Sequence, residues 1–394
     1  MKTTYYLLLT VLILVLAACK NEETPSCTVH IQLLPPEGYS TLAFGEMEVT
    51  LTNKAQGTAY TSRCSAAGLA SFNVEYGYYT ASVHYQASSG LIFSGRLESL
   101  PLLPEQGETA GTVNIQLIRS ASNALVIKEI YYSGCKSAEG MMYLADQYVT
   151  LYNNSDTILY LDGLCVGVVD PSNSLESPWL ATSAEMKRIP VNDLTWQFPG
   201  SGKEHPLQPG AETTIATNAI NHSGGEFQHV NSVDLSKVDW GFWDAALDNQ
   251  IEAGVKPMNL AAKLNSSTWL YSFPVIGPAF MIFSMQGTTV EDYANNPANL
   301  EPKPKATNPN KRYLMIPKEW VIDCIDCVAG FDQLPLKRVP NELDSGAAYL
   351  PLGAYSGKSL IRKKTINVDG RTIYQDTNNS TNDLEVSEPT LKKN

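Results

Sequence analysis

The sequence predicts a mainly β protein built from two β-sandwich domains. Apolar and polar residues alternate over short runs, as in EVTLTN at residues 48–53, and Gly57, Gly68 and Gly77 punctuate these runs at turn spacing. A polar break without periodicity, RSASN at residues 119–123, divides the chain. The 394 residues also exceed what one typical core accommodates, which favours two domains.

Residues 1–19 predict a lipoprotein signal peptide. Lys2 precedes an apolar run at residues 7–16 that is too short to span a bilayer as a helix. The LAAC that ends at Cys19 resembles a bacterial lipobox, and this resemblance implies that the Cys19 thiol carries a lipid anchor. A cleaved signal with a chance cysteine is the alternative.

Residues 20–26 predict a flexible tether, because they are polar and bury nothing. Glu22 and Glu23 within the tether resemble the acidic signal that sends some lipoproteins across the outer membrane, and an ordinary solvated linker is the alternative. We therefore expect an outer-membrane lipoprotein that is exposed at the cell surface or, failing that, faces the periplasm.

The charge balance argues against a nucleic-acid partner. The chain has 28 Lys and Arg against 40 Asp and Glu, a net charge of −12, which repels a phosphate backbone. The expected partners are the outer membrane, reached through the lipid, and a glycan or a surface protein.

Six cysteines remain after the anchor, and an even count in an exported protein predicts disulfides, although fifteen connectivities are open. The CIDC of residues 324–327 has the spacing of a redox or metal pair, but WVIDCIDCV alternates like a strand, which favours a structural bond. Asp323 and Asp326 beside it are interpreted as solvated acids. Locality along the chain predicts three pairs: Cys27 with Cys64, Cys135 with Cys165, and Cys324 with Cys327.

Residues 27–119 form the first predicted domain. Its run VTLTNKAQGTAYTSRCSAAGLASFNVEYGYYTASVHY resembles the transthyretin-like or carboxypeptidase-regulatory-like sandwich, with Gly68, Phe72, Gly77 and Tyr79 at that family's turn and strand positions. The resemblance implies a small sandwich that LIFSGRLESL and GTVNIQLI complete.

Residues 124–394 form the second predicted domain. LVIKEIYYSG followed by DQYVTLYNNSDTILYLDG resembles the lamin-tail domain, which implies an immunoglobulin-like sandwich. WQFPGSGKEHPLQPGAETTIATNAINH, WVIDCIDCV, SLIRKK and DTNNSTNDLEVSEPT resemble later segments of that family in the same order. The residues that carry the first match are Asp146, Tyr148, Val149, Leu151, Asn153, Leu161 and Gly163, with Val149 and Leu151 directed to the core.

The second domain is longer than the roughly 100 residues of a bare immunoglobulin-like sandwich. We therefore predict insertions at about residues 170–195, 222–275 and 288–312. Within them, residues 239–254, DWGFWDAALDNQIEAG, are the best helical candidate, and residues 295–311 are a Pro- and Asn-rich loop.

The sequence offers no motif for catalysis, metal or cofactor. It contains no nucleophile elbow, phosphate loop, dinucleotide turn or HExxH zinc motif, so we expect no enzyme activity, no cofactor and no metal. His222 and His229 flank Glu226, but the Gly-Gly between them disfavours a helix that would align zinc ligands. Solvated loop histidines are the favoured interpretation.

Tryptophans are the candidate ligand contacts. All six lie in the second domain, and aromatic platforms on loops over a rigid sandwich often grip sugars or proteins. The alternative is that these rings fill the space between insertions and sandwich. The candidates are Trp240, Phe242, Trp243 and Trp269.

The function predicted from these features is that of a non-enzymatic, lipid-anchored binding protein of the outer membrane or cell surface. A role as accessory to an outer-membrane transporter follows only by fold-level analogy. One alternative is a hydrolase with an acidic site built from Glu226, Asp244 and Asp248. The other is a purely structural surface protein.

Overall fold

The computed structural model describes residues 25–36, 39, 42–86, 91–121, 124–180, 186–224, 229–264, 267–308, 310–368 and 371–392. The fold is mainly β, as predicted. Within the described ranges no helix has the length and apolarity needed to cross a bilayer. Cys19 and Glu226 lie outside the described residues.

The first sandwich contains a three-stranded sheet, in the order β4-β1-β7, and a five-stranded sheet, in the order β3-β2-β5-β6-β8. The alternation in the sequence accounts for its core, because Val49, Leu51, Ala81 and Val83 are buried between the sheets. Its strands are β1 (Ser26–Leu34), β2 (Glu48–Asn53), β3 (Ala59–Arg63), β4 (Leu69–Glu75), β5 (Gly77–Gln86), β6 (Leu91–Leu102), β7 (Thr109–Gln116) and β8 (Ile118–Ala121).

The strands that follow residue 124 pair only with one another among the described residues. They are β9 (Leu125–Tyr131), β10 (Cys135–Lys136), β11 (Met142–Tyr143), β12 (Tyr148–Asn153), β13 (Leu159–Tyr160), β14 (Leu164–Val169), β15 (Arg188–Gln197), β16 (Pro206–Leu207), β17 (Glu212–Ala216), β18 (Trp240–Gly241), β19 (Lys256–Pro257), β20 (Asn259–Lys263), β21 (Ala279–Ser284), β22 (Leu300–Pro302), β23 (Arg312–Pro317), β24 (Val321–Asp326), β25 (Ser359–Arg362), β26 (Lys364–Val368), β27 (Arg371–Tyr374) and β28 (Leu384–Ser387). Two short helices accompany them, α1 (Val290–Asn295) and α2 (Ser380–Asp383). Single 3₁₀ turns lie at Phe44–Glu46, Pro104–Gln106, Pro297–Asn299, Lys318–Trp320 and Phe331–Gln333.

Two sheets make the second sandwich. Sheet I has the order β19-β18-β17-β12-β9-β25-β28, and sheet II has the order β22-β23-β15-β14-β21-β24, with β20 also paired to β15. Val149 and Leu151 of β12 lie in the core between the sheets, as predicted, opposite Val166 of β14 and Ile282 of β21. Further apolar clusters cover the outer faces of both sheets.

The described parts of the predicted insertions contain strands and turns. Residues 188–197, most of which fall in the predicted insertion 170–195, form the long strand β15 of sheet II. The helix predicted at residues 239–254 is wrong, because this segment contains β18 and turns, and Trp240 pairs in parallel with Ile215 and Lys256. Residues 295–311 include a 3₁₀ turn and β22, so they are not a loop throughout.

The three predicted disulfides are not formed, and all six cysteines in the described residues are buried free thiols. Cys324 and Cys327 lie three positions apart along β24 and its end, so their side chains point to opposite faces. Cys324 packs in the cluster on the outer face of sheet II, and Cys327 packs in the core between the sheets.

The other two pairs fail because their members occupy distant places. Cys165 lies on the outer face of sheet II, whereas Cys135 contacts Tyr131, which packs on the outer face of sheet I. In the first sandwich, Cys27 pairs with Val74, while the residue after Cys64 bonds Leu69 at the other end of β1. A disulfide requires Cα atoms within about 7 Å, which neither arrangement offers.

Candidate functional site: a groove between the sandwiches

A polar sheet face of the first sandwich meets the second sandwich. On β2 and β5 the residues that alternate with the buried core positions carry hydroxyl groups, namely Thr50, Thr52, Thr80 and Ser82. Segments of the second sandwich between residues 331 and 382 lie across from this face. Between them is a groove of about 430 Å³, which is large enough for a small ligand.

Cations dominate the charge of this groove. Lys54 and Arg96 reach it from the first sandwich, and Lys363 reaches it from the second. None of the described residues that line it carries a carboxylate. All three side chains are half-buried, and the Lys363 Nζ donates a hydrogen bond to the Asn382 carbonyl at 2.7 Å. The groove is therefore locally cationic in a chain of net charge −12.

The remaining lining combines amides and aromatic rings with the hydroxyl groups. Gln375 and Asn382 supply amides from the second sandwich, and Tyr349 and Phe331 supply rings whose centroids lie 6.3 Å apart. Hydroxyls and amides donate and accept hydrogen bonds, and aromatic faces pack against apolar surface. The lining can therefore bind a polar ligand with anionic substituents.

A second depression of about 470 Å³ adjoins the groove at Arg96, which lines both. Asn114 and Gln116 of the first sandwich face Asn341 and Lys337 of the second across it. The two depressions together give an elongated polar surface, which suits an extended ligand better than a compact one.

Arg338 anchors the part of the second sandwich that lines the second depression, because its chain neighbours Lys337 and Val339 lie in that lining. Its side chain is fully buried, and its Nε and Nη2 donate to Asp326 Oδ1 at 3.0 and 2.6 Å. Its Nη1 donates to the Gly277 carbonyl at 2.8 Å. The prediction that Asp326 is solvated is wrong, because this carboxylate is buried and paired with a distant arginine.

Arg362 of β25 anchors another part of the second sandwich, next to Lys363 of the groove lining, through three buried carboxylates. Its Nη2 donates to both carboxylate oxygens of Asp323, at 2.9 and 2.8 Å, and its Nη1 donates to Asp376 and Asp383 at 3.2 and 3.3 Å. Asp323 is thus buried, which contradicts its prediction as a solvated acid. Burial raises the pKa of Asp323 to about 7 and that of Asp383 to about 6, because one guanidinium cannot neutralise three carboxylates in a dry site.

His84 of β5 lies on the same polar face as Ser82 and close to Asp376 of the second sandwich. Burial lowers the pKa of His84 to about 4, although the charge of Asp376 acts in the opposite direction. Its imidazole is therefore neutral at physiological pH, and the contact between the sandwiches holds an uncharged histidine.

The four predicted aromatic ligand contacts do not line the groove. Trp240 and Phe242 are buried in the core, and Trp240 Nε1 donates to Thr213 Oγ1 at 3.1 Å, so their prediction as a ligand platform is wrong. Trp243 and Trp269 are 36% and 64% exposed and remain accessible at the surface. Trp240 is buried because it lies on a short parallel strand, and the prediction of a helix for this segment did not anticipate that strand.

The predicted loop histidines and acids have structural contacts. His222 is buried, its Nδ1 lies 2.6 Å from the Tyr143 hydroxyl, and its Nε2 lies 2.9 Å from the Asn218 carbonyl, so it is not solvated. His229 packs on the Tyr143 ring with centroids 4.1 Å apart. Asp244 Oδ1 accepts from the backbone N–H of Ala246, an interaction typical of a turn.

The groove residues were missed because the sequence separates them widely. Thr50 and Ser82 alternate as any solvated strand face does, and Lys363 follows almost three hundred positions later along the chain. Only the outward-facing hydroxyl pattern on two adjacent strands was available as a signal.

The fold and groove define a mainly β protein of two sandwiches with a polar, cationic depression between them. Residues 208–390 match the family described as "Protein of unknown function (DUF4876)". The chain is also similar to the crystal structure of a DUF4876 family protein from Bacteroides thetaiotaomicron VPI-5482, with 25% identity and a TM-score of 0.60 over 91% of this chain and 94% of that one. No curated protein matches the sequence.

Proposed function

We propose that this protein is a non-enzymatic binding protein, anchored to the outer membrane by lipid on Cys19 and exposed at the cell surface, that binds an anionic glycan in the groove. The LAAC at residues 16–19 supports the anchor. The resemblances of residues 27–119 to transthyretin-like domains and of residues 124–394 to lamin-tail domains support a binding role, since both families are mostly adhesive or recognition modules. A position beside an outer-membrane transporter follows by fold-level analogy.

The single observation that carries the ligand class is the charge of the groove. Lys54 and Lys363 approach it from opposite walls, and its described lining has no carboxylate to neutralise them. A depression of one sign with low-dielectric walls concentrates ligands of the opposite sign, even when the net charge of the chain repels them at a distance. Carboxylate or sulfate groups on the ligand would complement this positive charge.

The uncharged lining favours a glycan as the carrier of those groups. Thr50, Thr52 and Ser82 present hydroxyls at strand spacing, and Gln375 adds an amide. Such groups match the dense donor and acceptor pattern of sugar hydroxyls. Tyr349 offers a ring face for the apolar C–H face of a sugar. An acidic peptide would satisfy the cations but not this density of hydroxyl partners.

The test compares an acidic polysaccharide with its esterified, uncharged form by isothermal titration calorimetry. The acidic form should bind, and Lys54→Gln and Lys363→Gln should each weaken binding about tenfold or more, because a charge-assisted hydrogen bond contributes about 1.5 to 3 kcal/mol. Binding should also weaken as salt is raised.

Lys237→Gln is the matched control, because Lys237 is exposed and does not line the groove. It removes the same charge from the chain and should leave affinity unchanged. The melting temperature of each variant checks that Lys363→Gln acts on binding and not on folding, since Lys363 bonds the Asn382 carbonyl. Equal binding of both polysaccharides, or equal losses in all three variants, would contradict the proposed ligand. If an acidic peptide binds and neither polysaccharide does, the ligand is a protein and not a glycan.

A further inference from the structure

Three potential metal ligands meet at the small two-stranded ladder of β13 and β16. Asp162 follows β13, and Glu204 and His205 precede β16, while Leu159 pairs with Leu207 and Tyr160 with Pro206. A ligand atom from each of the three residues lies within 4.8 Å of the others. The ladder therefore brings two turns together and fixes the register between them.

The loop that carries two of the ligands is bonded to the third. Asp162 Oδ1 accepts from the backbone N–H of Glu204, and its Oδ2 accepts from that of His205, both at 2.9 Å. Each carboxylate oxygen has a second lone pair for another partner.

Two neighbouring residues constrain the His205 ring and the Asp162 carboxylate. The His205 ring meets the buried Trp240 ring edge-on, with centroids 4.9 Å apart and planes at 90°. Gly200 has a φ of 103°, and a Cβ at this position would lie 2.1 Å from Asp162 Oδ1. A side chain at position 200 would thus displace the carboxylate, and glycine keeps the space in which it lies.

We propose that Asp162, Glu204 and His205 form a binding site for a divalent transition-metal ion of the Zn²⁺ class. One imidazole nitrogen and two carboxylate oxygens are donors that Zn²⁺ accepts in tetrahedral sites, with a fourth position left for water. The imidazole disfavours Ca²⁺ and Mg²⁺, which take oxygen ligands. Bound metal joins the turn after β13 to the loop before β16. The site does not depend on the groove or its ligand.

The experiment titrates the full-length protein, purified without a histidine tag, with Zn²⁺ and in parallel with Ca²⁺. We expect one Zn²⁺ per chain, no Ca²⁺ uptake at the same concentrations, and visible absorption bands of four-coordinate Co²⁺ when that ion is substituted. His205→Gln and Glu204→Gln should each weaken Zn²⁺ binding at least about tenfold, the lower end of what lost metal-site contacts cause. Glu204 is exposed, so its variant tests the site without disturbing the core.

His30→Gln is the matched control, because His30 lies on β1 of the first sandwich, away from the proposed ligands, and its ring bonds Ser71. It should bind Zn²⁺ as the unmodified protein does. If Zn²⁺ fails to bind at micromolar concentration, or if either ligand variant binds it unchanged, the proposal is overturned and Asp162 serves only to cap its loop. A loss equal in all three variants would also overturn it, since binding would then be non-specific.

Discussion

Replacement of Arg338 tests its buried ion pair with Asp326. The Arg338 guanidinium and the Asp326 carboxylate are both fully buried, and removal of one partner from such a pair typically costs about 3 to 5 kcal/mol. Arg338 also donates to the carbonyls of Gly277 and Cys327, and each lost bond adds about 1 kcal/mol. For Arg338→Ala we expect a loss of about 5 to 7 kcal/mol in the free energy of unfolding.

A loss of this size consumes much of the roughly 5 to 15 kcal/mol that stabilises a typical domain, so Arg338→Lys should be measured as well. Lysine keeps the charge but cannot span the fork of acceptors that Arg338 reaches, and it should destabilise by a smaller amount. Urea unfolding followed by tryptophan fluorescence is suitable, because all six tryptophans follow residue 124.

Arg188→Ala is the control, since the Arg188 and Glu301 side chains are 34% and 40% exposed. An exposed pair of this kind contributes about 0 to 1 kcal/mol. If Arg338→Ala costs no more than Arg188→Ala, the site is hydrated and the reasoning about a dry ion pair is refuted.

Four further predictions follow from the sequence and the contacts. Cys19→Ala should abolish acyl labelling and move the protein from the membrane to the soluble fraction; unchanged partitioning would contradict the anchor. Trp240→Ala should cost about 3 to 5 kcal/mol in urea unfolding, whereas Trp269→Ala should change stability by less than about 0.5 kcal/mol, because only the first ring is buried. The protein purified and denatured without any reductant should titrate with six reactive thiols besides Cys19, and fewer would indicate disulfides. His84 is neutral when folded and has an ordinary pKa near 6.5 when unfolded, so stability should be lost as pH falls from about 6.5 toward 4; His84→Gln should reduce this loss, and parallel melting curves for both proteins would refute the burial of His84.

The pH dependence has an opposing contribution from the carboxylates around Arg362. The pKa values of Asp323 and Asp383 are raised in the folded state, so the folded chain binds more protons than the unfolded chain between about pH 4 and 7. Their contribution to stability therefore grows as pH falls through this window. The comparison with His84→Gln isolates the histidine because these carboxylates are present in both proteins.

Local sequence patterns predicted the strands better than the residues that contact them in the fold. The period-two alternation identified β2 and β12 and the inward direction of Val149 and Leu151, because it separates the two faces of a strand. It did not show that both faces of β12 are buried. The polar break predicted at residues 119–123 is in part the strand β8 (Ile118–Ala121), and among the described residues no strand before it pairs with a strand after it. Residues three positions apart on a strand lie on opposite faces, so the sequence already argued against a bond between Cys324 and Cys327. The expectation of disulfides in an exported protein outweighed that argument.

Long-range pairs were beyond such patterns. Asp323 and Asp326 were interpreted as solvated acids because the sequence of β24 contains no sign of their partners. Those partners, Arg362 and Arg338, come from later segments of the chain. The groove was still harder to predict from the sequence, because it depends on how the two sandwiches pack against each other. The metal-ligand cluster at β13 and β16 was equally hidden, since Asp162 and His205 become neighbours only through a two-residue ladder.

The placement of β9 has a consequence for how the chain folds. This first strand of the second sandwich lies in the middle of sheet I, between β12 and β25, and Ile130 pairs with Leu360 near the end of the chain. Contacts of such long sequence separation slow folding, since a large loop must close before they form. The amino-terminal sandwich can therefore be complete while the central strand β9 of sheet I still lacks its neighbour β25. A chain truncated before β25 would expose an unpaired edge of β9 and should aggregate or be degraded, even though every residue of the first sandwich is intact.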